Sequence, residues 1–122
     1  MTDLPRPRVL LVEDDGDTAT LLKEVLESEG FDAVSADSRA SASMLCVTRP
    51  RLIVVDRNVR LTPTHEELPA ALRTCGFDGV PVLLVSAALD LEERAAAMGA
   101  AAYIAKPFEI ETFAAACRVL TG

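Results

Sequence analysis

The sequence predicts an α/β fold: a parallel sheet doubly wound by helices on both faces. Three observations carry this. Five short strand-like segments recur along the 122 residues, and four are continuous apolar runs. Segments with helical apolar spacing fill the intervals. Chemistry-bearing residues (Glu13-Asp14, Asp56, Ser86 and Lys106) each follow or end one of the runs. Continuous apolar runs are the pattern of strands buried on both faces. Strands alternating with single helices imply right-handed crossovers and helices on both sides of one sheet.

Residues 1–7 read as a loose polar start. Strand β1 covers 8–12, through Val9-Leu10-Leu11-Val12. Helix α1 follows, with Asp15 as N-cap, Leu21, Leu22, Val25 and Leu26 as its apolar stripe, and Gly30 as its stop. Strand β2, 31–35, alternates as Phe31-Asp32-Ala33-Val34-Ser35 and so predicts an edge strand. Helix α2 lies near 39–47, where Ser41 and Ser43 are poor helix-interior residues. Strand β3, 51–55, is the run Leu52-Ile53-Val54-Val55. Helix α3 places Leu68, Ala71, Leu72 and Cys75 at i, i+3, i+4 and i+7 and stops at Gly76. Strand β4, 81–85, carries Val82-Leu83-Leu84-Val85, and helix α4 carries Leu91, Ala95 and Met98 before Gly99. Strand β5, 101–105, precedes helix α5, with Ile110, Phe113, Ala114 and Cys117 on one stripe.

Length and pattern indicate a single domain over 1–122, with no interdomain linker or repeat. The net charge of −7 argues against a basic face for nucleic acid or anionic membrane. No apolar stretch is long enough to span a bilayer, and the N-terminus, with Asp3 and two prolines, lacks the layout of a secretory signal. Cys46, Cys75 and Cys117 are far apart and fall inside predicted helices. They read as small buried residues of a cytoplasmic protein. A single histidine, His65, and no CxxC pair give no zinc pattern.

Parallel strands put their carboxyl ends on one edge, where ligands bind in open α/β sheets. That edge would gather Glu13, Asp14, Asp56, Ser86 and Lys106. Adjacent acids repel unless a cation relieves them, and Mg²⁺ takes one or two carboxylates together with phosphate oxygens. Taken alone, the acids are equally a solvated loop in which Asp15 caps a helix. A carboxylate such as Asp56 can accept a phosphoryl group as an acyl phosphate, or it can be a turn residue. The Ser86 hydroxyl can donate to a phosphoryl oxygen, or simply end a strand. Lys106 suits a phosphate as a point charge; before Pro107 it must be extended, and its bland role is to precede a helix starting near Pro107. The order of acid pair, acid, hydroxyl and lysine at successive strand ends favours a hard cation with a transferable phosphoryl group.

With those residues in place, the chain resembles the receiver domain of bacterial two-component response regulators. The segments VLLVEDD, LIVVD, PVLLVSA and GAAAYIAKPF carry the resemblance, which extends over residues 8–120. It implies a flavodoxin-like, three-layer, five-stranded sheet in the order 2-1-3-4-5. It makes Asp56 the phosphoacceptor. Mg²⁺ would be held by Glu13, Asp14, Asp56 and the backbone carbonyl of Asn58. Ser86 becomes the switch hydroxyl, Lys106 the phosphate-binding lysine, and Tyr103 the aromatic that turns on activation. Lys106-Pro107 is expected to be cis. A histidine kinase or phosphotransfer protein would supply the phosphoryl group, and a downstream protein or effector domain would read it. The α4-β5-α5 face would serve output and allows a weak homodimer. Such a domain catalyses only its own phosphotransfer and dephosphorylation.

The chain departs from this pattern in two places. The family commonly has a proline and a glycine where this chain has Arg60 and Thr64, in a segment with Arg57 and His65. The 20-residue interval from Ser86 to Lys106 is also slightly short, between Ser86 and Gly99. These departures leave open a degenerate receiver that binds partners without phosphorylation. A magnesium-dependent aspartyl-phosphate phosphatase would need an acid where Asn58 stands, and no phosphate-loop motif supports nucleotide binding. No basic helix-turn-helix segment lies within the chain, so a stand-alone receiver and a part of a longer protein are both expected forms.

Overall fold

The computed structural model describes residues 6–13, 15–36, 44, 47–57, 79–87 and 89–122. Within them a parallel five-stranded sheet runs in the order β2-β1-β3-β4-β5. The strands are β1 Arg8–Val12, β2 Asp32–Ala36, β3 Leu52–Arg57, β4 Val82–Ser86 and β5 Ala102–Ala105. The helices are α1 Gly16–Ser28, α4 Leu91–Met98 and α5 Ile110–Thr121. Predicted α3, with Leu68, Ala71, Leu72, Cys75 and Gly76, lies outside the described residues. Of α2 only Met44, Val47 and Thr48 are described, and all three are helical.

Alternation along each strand sends odd and even residues to opposite faces. Val9, Leu11, Leu52, Val54, Leu83 and Val85 pack with Leu22, Leu26, Phe113 and Cys117, which cover the sheet with α1 and α5. Leu10, Val12, Ile53, Val55, Val82 and Leu84 pack with Leu91 and Ala95 of α4 on the other face. The three central strands are thus buried on both sides, as their unbroken apolar runs require.

Local chemistry sets the element boundaries. Asp15 caps α1 by accepting a hydrogen bond from the Thr18 N–H, and Gly30 ends it in the left-handed region at φ +94°. Gly99 does the same for α4 at φ +69°. Strand β4 starts one residue later than predicted because Pro81 has no N–H for the ladder, although its carbonyl accepts from Ile53 N at 3.0 Å. Helix α5 begins at Ile110, not near Pro107: Glu109 is still extended, and the Lys106-Pro107 bond is cis.

Three expectations need correction. Strand β5 is not buried on both faces. As the outer strand it alternates, with Tyr103 and Ala105 exposed while Ala102 and Ile104 pack inward. Leu21 and Ile110 sit on the apolar stripes of their helices but are each 53% exposed. They lie where α1 and α5 do not close over one another.

Phe113 is fully buried and stacks on Phe108 with ring centroids 5.6 Å apart. Replacing it with alanine should lower the unfolding free energy by about 3–5 kcal/mol. Urea denaturation measures this, and a loss below 1 kcal/mol would mean that the α5 side of the core can collapse around the gap.

Candidate functional site

The register of the sheet assembles the site. Val12 pairs with Val55, and Asp56 with Val85, while Ser86 pairs with Arg57 and Ala105. Glu13, one residue beyond Val12, therefore comes level with Asp56, and Lys106 lies one residue beyond Ala105. By parity Glu13 continues Val9 and Leu11, Asp56 continues Leu52 and Val54, and Lys106 continues Ala102 and Ile104. All three sit on the α1–α5 face. Ser86 has the parity of Val82 and Leu84, which pack on the α4 face.

Glu13, Asp56 and Ser86 are buried. The Lys106 ammonium is ion-paired with Oδ1 of Asp56, and its backbone N–H donates to the Ser86 carbonyl at 3.0 Å. Glu13 is held from behind: its N–H donates to the Ala36 carbonyl at 2.9 Å, and its Oε1 accepts from the Asp15 N–H at 2.8 Å. Asp56 Oδ2 and Glu13 Oε2 are buried with no hydrogen-bond partner among the described residues. Burial and the neighbouring Asp56 carboxylate push the Glu13 carboxyl up to about 8. Asp15 moves the opposite way: the Thr18 hydroxyl and N–H hold it below the usual carboxylate range.

The structure brings Glu13, Asp56 and Lys106 together and places Ser86 at the adjoining strand end. Tyr103 is 46% exposed on β5. Asp14 and Asn58 lie outside the described residues, as do Arg60, Thr64, His65, Cys46 and Cys75. Among the described residues no three His, Cys, Asp or Glu side chains are grouped as a metal site. Two orphaned carboxylate oxygens on facing strands nevertheless suit a hard cation. Sequence reasoning missed two features. One is the Asp15 N–H beneath Glu13, for which the adjacent helix cap was a signal. The other is an apolar cavity beside Asp56 and Lys106, whose signal was Leu21 and Ile110 on the facing helices.

The profile of the family described as the response regulator receiver domain matches residues 9–118. The chain is 34% identical over 122 residues to the transcriptional regulatory protein PrrA of Mycobacterium leprae, covering 98% of this chain and 52% of that protein. It is 31% identical over 119 residues to the DNA-binding response regulator MtrA of Mycobacterium tuberculosis, covering 95% and 51%. The chain thus spans about half the length of these curated relatives. Its fold is similar to that of the chemotaxis protein CheY4 of Vibrio cholerae, with a TM-score of 0.82, 21% identity, and coverage of 94% of this chain and 98% of that one.

The raised Glu13 carboxyl has a consequence for stability. The folded protein keeps this proton up to about pH 8, whereas the unfolded chain gives it up near 4.5. The associated stabilisation is complete below pH 4.5 and is lost as pH rises through 8. Without divalent cations, melting temperature should therefore fall between pH 5 and pH 8, and Glu13→Gln should flatten that part of the profile. Parallel wild-type and variant profiles would show that Glu13 is not the group responsible.

Proposed function

The chain belongs to the response regulator receiver domain family, and on that premise we propose that Asp56 accepts a phosphoryl group from a histidine kinase or phosphotransfer protein in a Mg²⁺-dependent reaction. One observation carries the reading. A buried carboxylate at the carboxyl edge of the sheet has one oxygen against a lysine and lies beside a second acid, its other oxygen having no partner among the described residues other than that acid.

In this reaction an Asp56 oxygen attacks phosphorus in line with the phosphorus–nitrogen bond of a phosphohistidine. That bond breaks, its electron pair stays on the imidazole, and an aspartyl phosphate forms. Lys106 then exchanges its pairing with Asp56 for a phosphoryl oxygen, keeping its charge at the place where negative charge accumulates. Glu13, Asp14, Asp56 and the Asn58 carbonyl would hold the cation, which supplies charge screening between the incoming phosphoryl group and the acids. Glu13 must lose its proton to serve as a ligand, so occupancy of the site and release of that proton are linked.

Ser86 is proposed as the hydroxyl that reports the phosphoryl group to the α4 face, with Tyr103 as the mobile aromatic of β5. Output passes by protein contact through α4, β5 and α5. Leu89, Tyr103 and Val119 expose apolar surface in this region. A weak homodimer or an effector domain are the partners such a face fits, in a cytoplasmic setting.

Incubation with acetyl phosphate and Mg²⁺ should add the mass of one phosphoryl group, and Asp56→Asn, nearly equal in volume, should abolish the gain while keeping the fold. Equal labelling of variant and wild type by intact mass would place the phosphoacceptor elsewhere. Mg²⁺ at about 100 times its Kd should stabilise the protein by ~2.7 kcal/mol. Asp14→Ala should remove most of that shift in a melting experiment; a shift of undiminished size would put the cation at another site.

A further inference from the structure

Asp15 follows the two acids assigned to the cation, and its own chain engages both its backbone groups and its carboxylate. Its Oδ2 accepts from the Thr18 N–H at 3.3 Å and from the Thr18 hydroxyl at 2.5 Å. Its carbonyl accepts from the Ala19 N–H at 2.9 Å. Its own N–H donates to Oε1 of Glu13 at 2.8 Å. The backbone of Asp15 is extended, at φ −90° and ψ 116°, as an N-cap requires. Leu22 and Leu26, both buried in the core, hold α1 against the sheet. The cap therefore ties the peptide that holds Glu13 to a helix that the core keeps in place.

This third acid of the run is exposed, and its carboxylate is committed to Thr18 rather than to the buried cluster. Its influence on that cluster passes through Glu13. With Oε1 held by the Asp15 N–H, the remaining oxygen, Oε2, is buried and has no hydrogen-bond partner among the described residues apart from Asp56. A glutamate without this bond would lose side-chain freedom when a cation binds; here folding has already fixed it. We propose that Asp15 is a positioning residue of the cation site: by capping α1 it fixes the peptide N–H that orients Glu13 and leaves Oε2 for Mg²⁺. This rests on the Mg²⁺ site read above.

Three variants separate this role from a contribution to helix stability alone. Asp15→Ala removes the cap. Asp15→Asn removes the charge but keeps a capping oxygen of equal rank. Glu24→Gly weakens the exposed middle of α1 and leaves the cap intact. Calorimetry measures Mg²⁺ affinity, and hydrogen exchange follows the residue-15 amide in Mg²⁺-free buffer. Asp15→Ala should weaken Mg²⁺ binding about tenfold, the lower end of the range typical for groups that orient metal ligands, and its residue-15 amide should exchange faster. Asp15→Asn should stay within about twofold of wild type on both measures, because an exposed charge is largely screened by salt. Glu24→Gly should melt at a lower temperature with unchanged Mg²⁺ affinity. Three results would each overturn the proposal and leave Mg²⁺ binding standing: wild-type affinity in Asp15→Ala, a loss in Asp15→Asn as large as in Asp15→Ala, or a like loss in Glu24→Gly. Wild-type protein that binds no Mg²⁺ would overturn the cation reading and this inference with it.

Discussion

Everything at the functional edge depends on two carboxylates, Glu13 and Asp56, buried side by side at the end of a parallel sheet. Buried charges are costly unless paired. The single ammonium of Lys106 is ion-paired with Asp56, and Glu13 meets the remaining cost by holding a proton. The arrangement therefore favours anything that brings positive charge to the edge. Backbone groups hold it in place: the Ala36 carbonyl and the Asp15 N–H fix Glu13, and the Ser86 carbonyl fixes Lys106.

The parity of the strands divides the labour between the two faces of the sheet. Glu13, Asp56 and Lys106 fall on the α1–α5 face, while Ser86 falls on the α4 face one register step away. Asp56 and Ser86 are thus joined through the register of β3 and β4, with Ser86 at the end of a fully buried strand. On the α1–α5 side the described buried residues include Phe113, Cys117, Leu22 and Leu26, and on the other side α4 contributes Leu91 and Ala95.

Much of this was legible in the sequence, and the reasons are specific. Unbroken runs such as Val82-Leu83-Leu84-Val85, preceded by Gly and Pro, read as strands covered on both sides, and the alternation of Phe31 to Ser35 marked β2 as an edge. Asp15, Gly30 and Gly99 announced helix ends through capping chemistry that tertiary packing had no reason to override. The β5 segment misled because alanines at 101, 102 and 105 are apolar enough to read as core yet small enough to sit at an exposed edge. Leu21 and Ile110 misled for a related reason. Periodicity places a residue on a helix stripe, but whether the stripe is covered depends on how far apart two helices lie, which no local pattern encodes. The Glu13–Asp56 juxtaposition was foreseeable only through register. The pairing of Lys106 with Asp56 was not, since nothing local fixes which of several acids a flexible ammonium will choose.

The gap left between α1 and α5 adjoins the site. Beyond the end of β5, the chain turns through the cis Lys106-Pro107 bond and stays extended at Glu109 before α5 can start. Helix α5 begins at Ile110, which is half-exposed, while Phe113 of the same helix is buried and stacks on Phe108. The far ends of the two helices are tied instead, by the ion pair of Arg118 with Glu29. The residues that line the gap, among them Leu21, Val25, Phe108 and Ile110, lie beside Asp56 and Lys106. Apolar surface and charge are thus adjacent on the α1–α5 side of the sheet.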